Sequence, residues 1–204
     1  ALDPATAAAA RALAPHLDCV SAERITEEIT KLLAAPQPGS WLEPVVFASV
    51  LPELFAPRLR NSFGQARVVV DALPAGEEEV AARFAALLLP LGEEGVRPAL
   101  RRLHCSNALI DETATLVQAQ KKLRPALPGA ARVQARRLLG RLELPTLRRL
   151  LALCAAEAPE QADRFRALGY EVERVAAEGV CCRVSQLAVN GRDLMALGVQ
   201  PGPG

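Results

Sequence analysis

Apolar residues recur at helical spacing along most of the chain. In VSAERITEEITKLL, Ile25, Ile29, Leu32 and Leu33 fall at i, i+4, i+7 and i+8 and share one face. Ser21 stands where a hydroxyl can accept from the N–H groups that a first helical turn leaves unpaired, so the helix is expected to begin there. Arg24 with Glu28, and Glu27 with Lys31, form i,i+4 pairs on the remaining surface. PQPG at 36–39 ends the segment. Before it, residues 5–15 predict a helix closed by Pro15. After it, short helices are expected around 40–50 and 52–60, the second opened by Pro52. GEEEVAARFAALLLPLG (76–92) reads as an amphipathic helix with acids in its first turn, where the helix dipole favours them. Two helices are expected between Glu94 and Leu123, the second capped near Ser106-Asn107. Two more meet around Leu144-Pro145, and another runs from about Pro159 to Glu178.

RVVVDALP (67–74), with three valines in a row, is the only plausible strand signal. A short buried helix explains it equally well and is preferred in this context. The pattern therefore predicts an all-α fold, an elongated array of roughly ten short helices. Composition agrees: 50% of the 204 residues are hydrophobic and only 3% aromatic, which favours helices over strands. No apolar run approaches the roughly 18 residues of a membrane span, and the first residues lack a basic, signal-like start, so a cytoplasmic location is expected. The five cysteines form no C-x-x-C pair and have no matching histidine pair, which argues against a disulfide framework or a zinc site. They are expected to be buried thiols. His16 and His104 are expected at a helix surface or an interface.

Charge changes the picture. The net charge of +1 conceals a segment, Arg97 to Arg149, with twelve basic residues against three acids, Asp111, Glu112 and Glu143. On a helix over 130–142, Ala131, Ala135, Leu138, Leu139 and Leu142 share one face. Arg136 and Arg137 lie opposite, with Arg132 and Arg141 at the margins. A guanidinium surface suits phosphate, because each fork binds oxygens bidentately and releases condensed counterions. The alternative is a solvated face that merely keeps the chain soluble.

ALDPATAAAARALAPHLDCVSAERITEEITKLL resembles the neck of bacterial class II tRNA nucleotidyltransferases, the CCA-adding enzymes, and of the related bacterial poly(A) polymerases. The resemblance rests on Asp3, Pro4 and Thr6, on Ala14-Pro15-His16-Leu17, and on Ser21, Glu23, Arg24, Ile25 and Glu28, with Ile29 where the family has Leu. RPALRRLHCSNALID looks like the family's body. LAVNGRDLMALGVQPGPG is similar to the tail motif that precedes one last helix in the CCA-adding branch.

The resemblance implies a neck at 1–60, a body at 61–158 and a tail at 159–204. It implies that Ser21, Glu23, Arg24 and Glu28 support a catalytic head, while body and tail hold the acceptor and T arms of tRNA. The residues expected to meet RNA are Arg101, Arg102, Lys121, Lys122, Arg124, Arg132, Arg136, Arg137, Arg141, Arg148 and Arg149, then Asn190, Gly191, Arg192 and Gly202. Turns at Asn190-Gly191 and Gly202 can offer bare N–H groups to a phosphate, whereas Gly198 is expected only to cap a helix.

The family's chemistry sits in a head whose D-x-D pair holds magnesium, the ion that activates the RNA 3′-hydroxyl and neutralises the triphosphate. This sequence contains no D-x-D pair and no E-D-x-x-R nucleotide-reading segment. The expectation is a portion of a larger enzyme, without catalytic residue, metal or cofactor of its own and inactive alone, with magnesium, CTP and ATP belonging to a head upstream. RFAALLLPLG (83–92) has the outline of an HD-phosphohydrolase helix. Its metal-binding positions would fall on Leu89 and Pro90, which cannot ligate a metal. Two alternatives stay open: the same region of a poly(A) polymerase, and a helical protein-interaction scaffold, which would not require the basic segment.

Overall fold

The computed structural model describes residues 3–41, 50, 54–55, 59–125, 130–183, 186–189 and 191–198. The helices are α1 (Pro4–Leu13), α2 (Ala22–Ala34), α3 (Pro38–Trp41), α4 (Leu59–Ala72), α5 (Val80–Leu88), α6 (Gly92–Arg102), α7 (Asn107–Leu123), α8 (Ala131–Leu139), α9 (Leu144–Glu157), α10 (Ala162–Ala177) and α11 (Gly191–Ala196). Among the described residues there is no strand, and the fold is all-α as expected. Eight long helical runs carry it rather than roughly ten. One reason is that α5 and α6 join through a 3-10 turn, Leu89–Leu91, into a single kinked run. The helices expected around 40–50 and 52–60 fall mostly outside the described residues.

Helix starts follow local chemistry. Asp3 caps α1, its carboxylate accepting from the N–H of Ala5 at 3.1 Å and of Thr6 at 2.9 Å, and from the Thr6 hydroxyl at 2.6 Å. Ser21 caps α2 by accepting from Arg24 N–H at 3.4 Å, and Ser106 caps α7 by accepting from Leu109 N–H at 3.3 Å. Pro15 acts differently from expectation. Helix α1 ends at Leu13, and Pro15 sits in the first turn of a following 3-10 helix, Ala14–Cys19, where its missing N–H costs nothing. The valine run is helical within α4: Val69 and Val70 are buried and Val68 faces outward.

The segment 76–92 departs most from its sequence reading. All nine residues of α5 are buried, so it is a central helix packed by α2, α4, α7 and α9 rather than an amphipathic surface helix. Glu77, Glu78 and Glu79 occupy a separate 3-10 turn before α5, which is why their polarity does not mark one of its faces. A continuous apolar core runs from Ile29 through Val175, with Phe84, Leu88, Leu100, Leu116, Leu147, Leu150 and Phe165 among its most buried members.

Arg83, in the middle of α5, is 1% exposed. Its guanidinium donates to the carbonyls of Leu33 at 2.5 Å, Ala35 at 2.5 Å and Leu73 at 2.8 Å. These are the terminal carbonyls that α2 and α4 cannot satisfy within their own helices. Burial pulls the Arg83 pKa below its ordinary value, and the Asp71 and Glu79 carboxylates oppose that shift. The result is a charged rivet holding the ends of two helices against the central one. No helix among the described residues is long and apolar enough to cross a membrane.

Candidate nucleic-acid interface

The N-terminal motif residues divide by what they touch. Ser21 is spent on capping α2. Glu23, two residues on, reaches across to His104 in the turn between α6 and α7, with Oε1 2.7 Å from Nδ1. That hydrogen bond holds the Glu23 carboxyl below its usual range. His104 adopts a left-handed backbone, φ 55°, which ends α6 and aims the ring at α2. Thr26 adds a hydrogen bond from its hydroxyl to the Leu103 carbonyl. Glu28 accepts from Lys31 at 3.3 Å, and Lys31 also meets Glu27 at 2.7 Å, so the anticipated Arg24/Glu28 pair gives way to a lysine between two glutamates. Arg24 is exposed and makes no side-chain hydrogen bond or ion pair among the described residues.

The basic segment divides too. Arg132 makes a two-pronged contact with Glu178, and Arg148 meets Glu173 through two bonds of 2.6 Å. Each pairing lowers the glutamate's pKa and raises the arginine's, the hydrogen bond being the main cause. Arg149 is mostly buried against Glu112 at 2.6 Å and Glu79 at 3.6 Å, and Arg124 meets Glu157 at 3.1 Å. Arg132, Arg148 and Arg149, all expected from the sequence to meet RNA, are therefore already held by glutamates. Acids from outside the basic segment fold back onto it, a partnership that charge counting along the chain does not see.

What remains uncompensated is narrower. Arg101, Arg102, Lys121, Lys122, Arg137 and Arg141 are exposed and have no hydrogen bond or ion pair from their side chains among the described residues. Among the described residues Arg136 donates to the Cys181 carbonyl, at 3.5 Å. Ala135 points into the core, so Arg136 and Arg137 lie outward as the helical spacing predicts. Lys122 and Arg141 line the same groove of about 280 Å³ between α7 and the α8–α9 turn, with Leu123, Leu138 and Leu150 among its apolar lining. Arg141 also lines an adjoining groove of about 640 Å³, where Arg149 and Arg183 stand with the carboxylates of Asp111, Glu112 and Glu143. The first groove thus brings together Lys122 of α7 and Arg141 of the α8–α9 turn.

In the tail, Gly191 opens α11, Arg192 lies exposed on it, and Gly198, at φ 89°, caps it through an N–H bond to the Met195 carbonyl at 2.9 Å. Asn190 and Gly202 lie outside the described residues. Two arginines absent from the sequence expectations close helix ends near these cations. Arg164 donates to the carbonyls of Leu123, Arg124 and Pro125 at 3.2, 3.1 and 3.0 Å, closing the end of α7. Arg183 donates to Leu139 at 3.1 Å and Leu142 at 3.0 Å, closing the end of α8. Each partner lies about forty positions away, so no local pattern marks them.

No group of three or more metal-ligating side chains is found among the described residues. All five cysteines are free thiols, but Cys19 is exposed and Cys181 and Cys182 are half-buried, against the expectation of burial; Cys105 and Cys154 are buried, and burial raises both pKa values, that of Cys154 to about 12.

Residues 1–61 match the family model described as the probable RNA- and SrmB-binding site of polymerase A. This gives the α1–α2 segment and the stretch after it the sequence character of a polymerase A-type RNA-binding region, over less than a third of the chain. No curated protein and no solved structure matches the chain.

Proposed function

We propose that this chain is the tRNA-binding portion of a tRNA nucleotidyltransferase that adds or repairs the 3′-terminal CCA from CTP and ATP. The match of residues 1–61 to a polymerase A RNA-binding region carries the reading. On this account residues 1–60 form a neck, 61–158 a body and 159–204 a tail, acting in the cytoplasm beside a catalytic head that supplies magnesium and the nucleotide pocket.

Neck geometry supports a buttress. Arg83 pins the C-terminal end of α2, while Glu23 and Thr26 pin its first turns to the α6–α7 turn. A helix fixed at both ends presents Arg24 in a constant position, which is what a supporting contact to a neighbouring domain requires. Arg136, Arg137, Arg141, Lys121 and Lys122 then offer phosphate contacts. An A-form helix hides its base edges in a deep groove, so cations at fixed separations recognise shape and backbone rather than sequence.

The second reading is the same region of a poly(A) polymerase, favoured by the family description itself. The NGRDLMALG stretch, with α11 stopped at Gly198, favours the CCA branch. Competition at fixed salt tests the choice: the purified chain is expected to retain labelled tRNA against excess poly(A). Preference for poly(A) would move the assignment to the second reading, and binding to neither would leave a protein scaffold.

A further inference from the structure

Cys181 and Cys182 are adjacent, both half-buried and both free thiols. Neither belongs to the motifs above. The peptide between them is held at both ends: the Cys181 carbonyl accepts from Arg136 at 3.5 Å, and the Cys182 N–H donates to Gln186 Oε1 at 2.8 Å. The Arg183 N–H shares the same Gln186 oxygen at 3.0 Å. On the far side, Gly140 lets the Cys182 carbonyl approach so closely that a Cβ there would stand 2.8 Å from it. Residues 181–183 thus form a strap across the C-terminal end of α8, fastened by Arg183 to the Leu139 and Leu142 carbonyls. The Cys181 thiol reaches past its neighbour to donate to the Arg183 carbonyl at 3.3 Å.

We propose that Cys181 and Cys182 form a thiol switch that closes to a vicinal disulfide under peroxide and loosens this strap from α8. One thiolate attacks the peroxide O–O bond, giving a sulfenic acid and releasing hydroxide, which takes up the proton that thiol gave up and leaves as water. The second thiol displaces the hydroxyl from that sulfur, releasing another water and forming the S–S bond. The two sulfhydryls are oxidised and one hydroperoxide is reduced.

The α-carbons of neighbouring residues are about 3.8 Å apart across a trans peptide, whereas ordinary disulfides span roughly 4.4–6.8 Å. The new ring includes the 181–182 peptide bond, so closing it turns that peptide plane. Arg136 and Gln186 grip opposite edges of the plane, and the Cys182 carbonyl lies close against Gly140. The strain makes the disulfide readily reducible, as a reversible switch requires. Loosening the strap frees the end of α8 that carries Arg136 and Arg137. The effect on RNA rests on the proposed function above; the chemistry and the loosening do not.

The test treats the full chain with hydrogen peroxide, alkylates the remaining thiols and digests with trypsin, which releases residues 175–183 as one peptide. That peptide is expected to lose two hydrogens and regain them with dithiothreitol. Amide hydrogen exchange in residues 131–142 is expected to quicken several-fold after oxidation, and this change should vanish in Cys181→Ser and Cys182→Ser. Phenylarsine oxide, which bridges two neighbouring thiols, is expected to bind 175–183 once per chain. Sulfinic or sulfonic products without the disulfide, or a disulfide with unchanged exchange, would overturn the switch. If the switch operates, oxidation is also expected to weaken tRNA binding several-fold. Failure of the reduced chain to bind tRNA would sink the RNA reading alone, since mass and exchange still judge the switch.

Discussion

Glu23 and His104, 81 positions apart in the chain, meet at 2.7 Å and tie the first turn of α2 to the turn between α6 and α7. Two of the four residues expected to support a catalytic head are thereby given structural roles: Ser21 starts the helix, and Glu23 anchors it. The anchor should be visible in the pH dependence of stability. The Glu23 carboxyl lies below its ordinary value of 4.5, first because of the His104 hydrogen bond. A carboxyl depressed on folding contributes fully above its unfolded value, and that contribution disappears as pH falls through the folded one. Glu23→Gln is expected to melt slightly below wild type at neutral pH, with the gap closing below about pH 4.5. The gap should be small because the pair is exposed. Paired thermal melts from pH 7 to pH 3 check this, and a constant gap would contradict it.

Arg83 is the contact the fold can least afford to lose. Arg83→Leu leaves the carbonyls of Leu33, Ala35 and Leu73 without their donor. Each buried acceptor left unpaired costs about 1–3 kcal/mol, so a loss of roughly 3–5 kcal/mol is expected in urea denaturation. Arg83→Lys should recover part of it, since an ammonium can reach some of the same oxygens but not fork among all three. A loss under about 1 kcal/mol for Arg83→Leu would contradict the riveting role.

Two glycines make opposed expectations. At Gly169, inside α10, an added Cβ meets only Leu151 Cδ1 at 3.7 Å, so Gly169→Ala should stabilise by about 0.5–1 kcal/mol through helix propensity. At Gly140 the same methyl would press on the Cys182 carbonyl at 2.8 Å, so Gly140→Ala should destabilise. Thermal melts of the two variants should move in opposite directions. Movement in the same direction would mean that the strap does not sit tightly on α8.

Local chemistry was the legible part of this sequence. Ser21 and Ser106 act within three residues of themselves, so the starts of α2 and α7 were readable, and the valines of 67–74 took the helical reading. Burial of α5 was not readable. Glu77–Glu79 suggested a polar face, yet they precede the helix, and Arg83 is polar because it caps other helices from inside the core. The same limit applies to the cations. Counting charge finds the basic segment but not that Glu173 and Glu178 return to neutralise Arg148 and Arg132. Arg164 and Arg183 are legible only once the ends of α7 and α8 are placed beside them.

The central claim is that RNA phosphates meet the uncompensated cations. The most direct measurement is tRNA affinity against salt for wild type, Arg136→Gln/Arg137→Gln and, as a comparator, Arg132→Gln/Arg148→Gln. Neutralising a phosphate makes log affinity fall by about 0.9 per decade of salt on B-form duplex, and a similar order is expected on A-form RNA. Removing Arg136 and Arg137 should therefore flatten the slope by roughly 1–2, with helicity and melting temperature nearly unchanged because both side chains are exposed. The comparator pair should change the slope less, since Glu178 and Glu173 already hold those guanidiniums. A wild-type slope in the Arg136→Gln/Arg137→Gln variant would contradict the account and return α8 to a merely solvated face.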